Sequence, residues 1–190
     1  MPPVAISTLP VTVPEGPEDQ PVEIGDVKVR LYVRVGDLAP DFTAPRLAGG
    51  QFKLSEQRGK LVLLGFWATW PPRLGEIPTM KDMQATFGGD PRFLLVGVSC
   101  DEAAEAPAKY TKANALSWTQ VFGGPVPWSV RAAPAKVFQT VSETYSIRGI
   151  PATFLIGPNG RILARDLRGP ALKEAVGKAL SDEKLFPAAK

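Results

Sequence analysis

The sequence predicts an α/β fold with a central mixed sheet flanked by helices. Three observations carry that expectation. Two unbroken apolar runs, "KLVLLGFWA" and "RFLLVGVSC", have the composition of strands buried on both faces. Each is followed by a segment of helical character, and a strand-helix-strand order requires parallel neighbours. Late in the chain, "GIPATFLIGPNGRILARDL" sets two strand-like runs about Pro158-Asn159-Gly160, which predicts an antiparallel hairpin on one sheet edge.

The chain's 190 residues suffice for one domain with a full core. Hydrophobic residues make up 44% and charged residues 22%, which excludes wholesale disorder and a membrane protein. The apolar runs fall well short of the roughly 20 residues needed to span a bilayer. Net charge is +3, from 22 basic and 19 acidic residues scattered along the chain, so the concentrated basic stripe of a nucleic-acid reader is missing. Histidine is absent, which removes the commonest general base and metal ligand. The single cysteine, Cys100, forbids an intrachain disulfide and a multi-thiolate zinc site. Neither a metal nor a cofactor is expected.

Residues 1–25 are Pro-rich and read as an extended tail or linker, and residues 26–186 as the domain. The opening segment lacks a basic start and a continuous apolar stretch. That leaves two expectations: a cytoplasmic protein, or a fragment whose targeting segment or preceding domain has been removed. Within 26–36, Val27, Val29, Leu31, Val33 and Val35 alternate with polar residues, predicting a strand with one solvated face. "GDLAPDFTAPRLAGGQFKLSEQRGK" predicts a small hairpin turning at Gly49-Gly50. From Leu74, Ile77, Met80, Met83 and Phe87 recur at helical spacing up to Gly88-Gly89, with Pro78 expected to kink the helix near its start. After the second buried strand, Asp101 is the expected cap of a helix through "EAAEAPAKYTKANA". "WTQVF" predicts a short strand and "GGPVPWSVRAAPA" a long loop. Val137, Phe138, Val141 and Tyr145 form one helical stripe. "PALKEAVGKAL" predicts a closing helix that starts at Pro170 and turns Leu172, Val176, Ala179 and Leu180 inward.

"GDLAPDFTAPRLAGGQFKLSEQRGKLVLLGFWATW", "GEIP" and "YSIRGIPATFLIGPNGRI" together resemble the TlpA/ResA branch of thioredoxin-like proteins, in the redoxin group that includes AhpC/TSA peroxiredoxins. The resemblance runs from about Val35 to Leu180. It implies a thioredoxin-like fold with an extended N-terminal segment, and a thiol-disulfide oxidoreductase ancestry. Family members carry Cys-x-x-Cys directly after the second tryptophan. There the helix dipole and exposed N–H groups lower a thiol pKa, and a second thiol resolves the mixed disulfide.

Here no cysteine occupies that place. Counted forward from Trp70, the two cysteines would fall at Pro71 and Leu74; counted backward from Glu76 and Pro78, they would fall at Trp70 and Arg73. The segment is thus one residue short, with Pro71-Pro72 kept as the middle pair in the simplest alignment and Arg73 replacing the second cysteine. A dithiol mechanism cannot run.

The resemblance carries other positions over. Ile150-Pro151 matches the cis-proline element, beside which a substrate peptide passes. Glu76 matches a carboxylate that tunes the thiols, or is simply an acidic residue favoured by the helix start. Trp67 and Trp70 match the aromatic pair flanking the site, or are ordinary core and rim aromatics. Arg73 is expected to turn into solvent. Cys100, at the end of its strand, opens on the same sheet edge and reads either as a small apolar filler or as a relocated nucleophile. The expected function is therefore a redox-inactive module binding an extended peptide or protein at Trp67, Trp70, Pro71, Pro72, Arg73, Glu76, Ile150 and Pro151. The alternative is an oxidoreductase or peroxidase working through Cys100. Nucleic acid and a membrane span are not expected; oligomeric state is open, and relatives mostly act outside the cytoplasm.

Overall fold

Apolar side chains on both faces place β3 (Leu61–Trp67) at the centre of the sheet, with all seven of its residues buried. The structure is a computed structural model that describes residues 33–70, 76–126, 140–147 and 149–186. On one side β3 pairs in parallel with β4 (Phe93–Ser99), which pairs in parallel with β5 (Thr119–Phe122). On the other it pairs antiparallel with β6 (Ala152–Ile156), followed by antiparallel β7 (Ile162–Arg165). The resulting order is β5-β4-β3-β6-β7. The mixed sheet and the late hairpin are as the sequence predicts.

Ahead of the sheet, β1 (Thr43–Pro45) and β2 (Gln51–Lys53) form the small antiparallel hairpin. Gly49 and Gly50 turn it with φ of 98° and 82°, a region a side chain would strain. Its tip closes the β5 edge: the Leu47 N–H donates to the Gln120 carbonyl at 2.9 Å.

The two-residue period of β3 divides the core. Leu61, Leu63 and Trp67 face α1 (Ile77–Phe87) and α4 (Gly169–Leu180), while Val62, Leu64 and Phe66 face residues 33–54 and α3 (Val141–Thr144). On α1 the buried residues are Ile77, Met80 and Met83; on α4 they are Leu172, Val176, Ala179 and Leu180, the predicted set. The second face centres on Tyr145, whose ring lies 5.0 Å from Phe154 and 5.6 Å from Phe66. Its hydroxyl donates to the Pro40 carbonyl at 2.8 Å, which satisfies the one polar atom of a buried ring. No helix among the described residues is long and apolar enough to cross a membrane.

Local expectations are corrected at four places. Of the strand expected at 26–36, residues 26–32 lie outside the described residues, and 33–36 are coil and turn, not strand. Gly36 there has φ 91°. Pro78 stands in the first turn of α1, where its missing N–H has no helical acceptor to lose, so it opens the described helix instead of kinking it. Asp101 does not cap α2 (Glu105–Ala113), which begins after Ala104 without a side-chain cap; its carboxylate is engaged elsewhere. Val137 and Phe138 lie outside the described residues, as do 127–135 of the long loop. Thr140 is extended (φ −72°, ψ 158°) and forms a capping box with Glu143, so α3 begins at Val141 and no helix runs through 140.

The end of α2 supports a first prediction. Leu116 N–H reaches back to the Thr111 carbonyl and Ala115 N–H to Lys112, the paired closure that normally carries glycine in the left-handed position. Here Ala115 holds φ 50°. Ala115→Gly is expected to stabilise the protein by about 1 kcal/mol. The check is a melting temperature raised by about 3 °C.

Candidate functional site

Three strand ends meet at one edge of the sheet. Trp67 at the end of β3 lies beside Ser99 at the end of β4, and Phe66 pairs with Ala152 at the start of β6. That register brings residues 67–70, 99–101 and 150–151 together, at the carboxyl ends of the parallel strands where ligands bind in α/β sheets. The Ile150–Pro151 peptide bond is cis. Loop 166–168 braces it: the Arg168 guanidinium donates to the Pro151 carbonyl at 2.7 Å, and the Thr153 hydroxyl to Leu167 at 2.8 Å.

A buried carboxylate ties the first two strand ends. Asp101 is 3% exposed. Its Oδ1 accepts from the Thr69 N–H at 3.0 Å and from the Thr69 hydroxyl, while Oδ2 accepts from the Ser99 hydroxyl at 2.7 Å. These donors fix the turn that carries Trp70, a half-buried ring packed against the core. Sequence reasoning missed this role and missed Thr69, Gln120 and Arg168. The legible signal was a hydroxyl residue two positions beyond a buried strand, facing an acidic residue at the end of its parallel neighbour.

Trp67 is turned away from this edge. It is 3% exposed, packs at a tilt with its ring centroid 5.6 Å from that of Tyr110, and its Nε1–H donates to Gln120 Oε1 at 3.1 Å. Pro71, Pro72 and Arg73 lie outside the described residues. Glu76 immediately precedes α1 and is buried, with Oε1 lacking a hydrogen-bond partner among the described residues. The helix start partly offsets the cost of burying that carboxylate.

Cys100 follows β4 with its N–H donating to the Trp67 carbonyl at 2.7 Å, and its side chain is 0% exposed. Burial, and secondarily the negative charge of Asp101, push the thiol far above its ordinary value. The unfolded chain therefore loses this proton near pH 9 while the folded chain keeps it. The stabilising contribution is fully present below that pH and falls by about 1.4 kcal/mol per pH unit above it. Urea unfolding at pH 8 and 10 should show this slope, and Cys100→Ala should flatten it between pH 9 and 10, before the buried Tyr145 phenol, also raised, adds its own share.

The AhpC/TSA family profile matches residues 35–165, more than half of the chain. This chain belongs to the AhpC/TSA family. Among family relatives, the thiol-disulfide oxidoreductase ResA of Geobacillus thermodenitrificans is 30% identical over 82% of this chain and 81% of its own length. ResA of Oceanobacillus iheyensis is 32% identical over 70% of this chain, which spans 64% of that relative. Among solved structures, the thioredoxin domain of a Bacteroides vulgatus thiol-disulfide oxidoreductase superposes with a TM-score of 0.63 at 31% identity, covering 77% of this chain and 97% of that one. A thiol-disulfide oxidoreductase from Bacteroides fragilis gives 0.62 at 29% identity, covering 75% and 98%. The thioredoxin-like, ResA-type fold is thus combined with a single cysteine, and the dithiol motif is missing from the chain. Among the described residues no cluster of three or more His, Cys, Asp or Glu side chains could hold a metal.

Proposed function

We propose that this domain is a redox-silent branch of its family that binds an extended peptide or protein segment at the edge formed by Trp70, Ile150 and Pro151. The carrying observation is the fully buried state of Cys100, the only thiol, with its ionisation opposed by burial. Disulfide exchange needs a thiolate that a second sulfur can reach. What supports binding is the retained architecture around the missing motif: the half-buried Trp70, next to the Thr69 that Asp101 holds, and the braced Pro151. Aromatic-lined grooves that take extended peptide segments are a recurrent mode of peptide recognition.

The reading is tested by dithiothreitol-driven insulin reduction and hydrogen peroxide consumption with the full chain, wild type beside Cys100→Ser. Turnover at the uncatalysed rate in both proteins is expected. Catalysis lost in Cys100→Ser would replace this reading with the single-cysteine enzyme. Binding is tested on an array of unstructured peptides probed with wild type and Trp70→Ala. Selective capture that the substitution abolishes is expected; identical patterns would remove the groove from the proposal.

A further inference from the structure

Away from that edge, a half-open cavity of about 770 Å³ lies between the hairpin tip, α2 and β5. We propose that it binds a small carboxylate with an apolar body, such as an aryl or alkyl acid.

Four features point to that ligand class. The volume is that of a small-molecule site. The lining holds apolar Leu47, Leu116 and Trp118, enough to desolvate a ring or short chain. Among the described lining residues the only charged side chains are Arg46 and Lys112, both exposed, and none is a carboxylate that would oppose an anion. Two of its buried side chains end in a donor without an acceptor, Trp118 Nε1–H and Gln120 Nε2.

The second donor is fixed in kind. Trp67 Nε1–H donates to Gln120 Oε1, which sets the amide orientation and leaves the NH2 end unpaired. Both nitrogens are themselves buried, in lining residues 7% exposed, so binding requires the wall to open for ligand oxygens to reach them. Buried donors without acceptors destabilise a protein, and a bound acceptor recovers that loss. A cation would meet like charge, and a purely apolar ligand would leave both donors unpaired.

The test titrates phenylacetate into the uniformly nitrogen-15-labelled full chain and follows the tryptophan indole N–H resonances, with Trp118 assigned through Trp118→Phe. Saturable shifts are expected, largest at Trp118, with a Kd of about 1 mM for so small a probe. Phenylacetamide, which lacks the charge, should bind at least about fivefold more weakly, and Lys112→Glu should weaken phenylacetate by about fivefold or more. Ala108→Phe, which fills the cavity from a partly exposed position on α2, should abolish the shifts. A circular-dichroism melt confirms that both variants fold. No saturable Trp118 shift up to about 10 mM, or equal affinities for acid, amide and Lys112→Glu, would overturn the proposal. The site stands apart from the Trp70 groove, so either proposal can fail without the other.

Discussion

Asp101→Ala is expected to lower the melting temperature by about 10 °C, a loss of about 3 kcal/mol. The substitution removes the acceptor of three donors at once: the N–H and hydroxyl of Thr69 and the hydroxyl of Ser99. Ser99 is 0% exposed, so water does not replace the carboxylate there. Asp101→Asn should cost about half as much. Its carbonyl oxygen still accepts from Thr69, and the Ser99 hydroxyl can rotate to accept from the new amide. The same comparison reaches function, because the Thr69 turn carries Trp70. Under the peptide-binding reading, Asp101→Asn should weaken capture less than Asp101→Ala does. Thermal melts of the three proteins decide the stability claim. A loss below about 1 kcal/mol in Asp101→Ala would mean that the carboxylate does not hold the two strand ends together.

How much of this was legible in the sequence depended on how far each feature reaches along the chain. Leu61 to Trp67 announced a central strand because burial on both faces needs an unbroken apolar run. The inward face of α4 followed from spacing alone, since Leu172, Val176, Ala179 and Leu180 lie on one helical stripe. Errors arose where a polar side chain had two local uses. Asp101 has the residue type and place of a cap, yet a parallel strand pairing brings Thr69 to it from 32 residues away. Thr140 sits within an apolar stripe that suits a helix, but its hydroxyl accepts from the Glu143 N–H and starts the helix afresh. At the site, the loss of the dithiol was plain from residue identity. The burial of Cys100 was legible in its residue type, whereas that of Glu76 was not, because it depends on which elements close over the sheet edge.

Gly97→Ala is expected to cost about 3 kcal/mol, and adding Gln120→Ala should cost little more. Gly97 and Gln120 are partners in the parallel pairing of β4 with β5. A methyl group built on Gly97 would overlap Gln120 Oε1 and lie 2.8 Å from its Cδ, so the amide must swing aside. That motion breaks the bond from Trp67 Nε1–H and leaves a buried indole donor with no acceptor. Gln120→Ala alone should cost about 2 kcal/mol, from the same lost bond and the space left behind. In the double variant the methyl group added at position 97 occupies part of that space and no longer clashes. The two losses should therefore fall short of additivity by about 2 kcal/mol, measured from urea midpoints at unchanged m-value. Strict additivity would show that the glycine is required by something other than the Gln120 amide. Because Gln120 also lines the proposed carboxylate pocket, Gly97→Ala should weaken phenylacetate binding under the pocket proposal while leaving Trp70-dependent peptide capture intact.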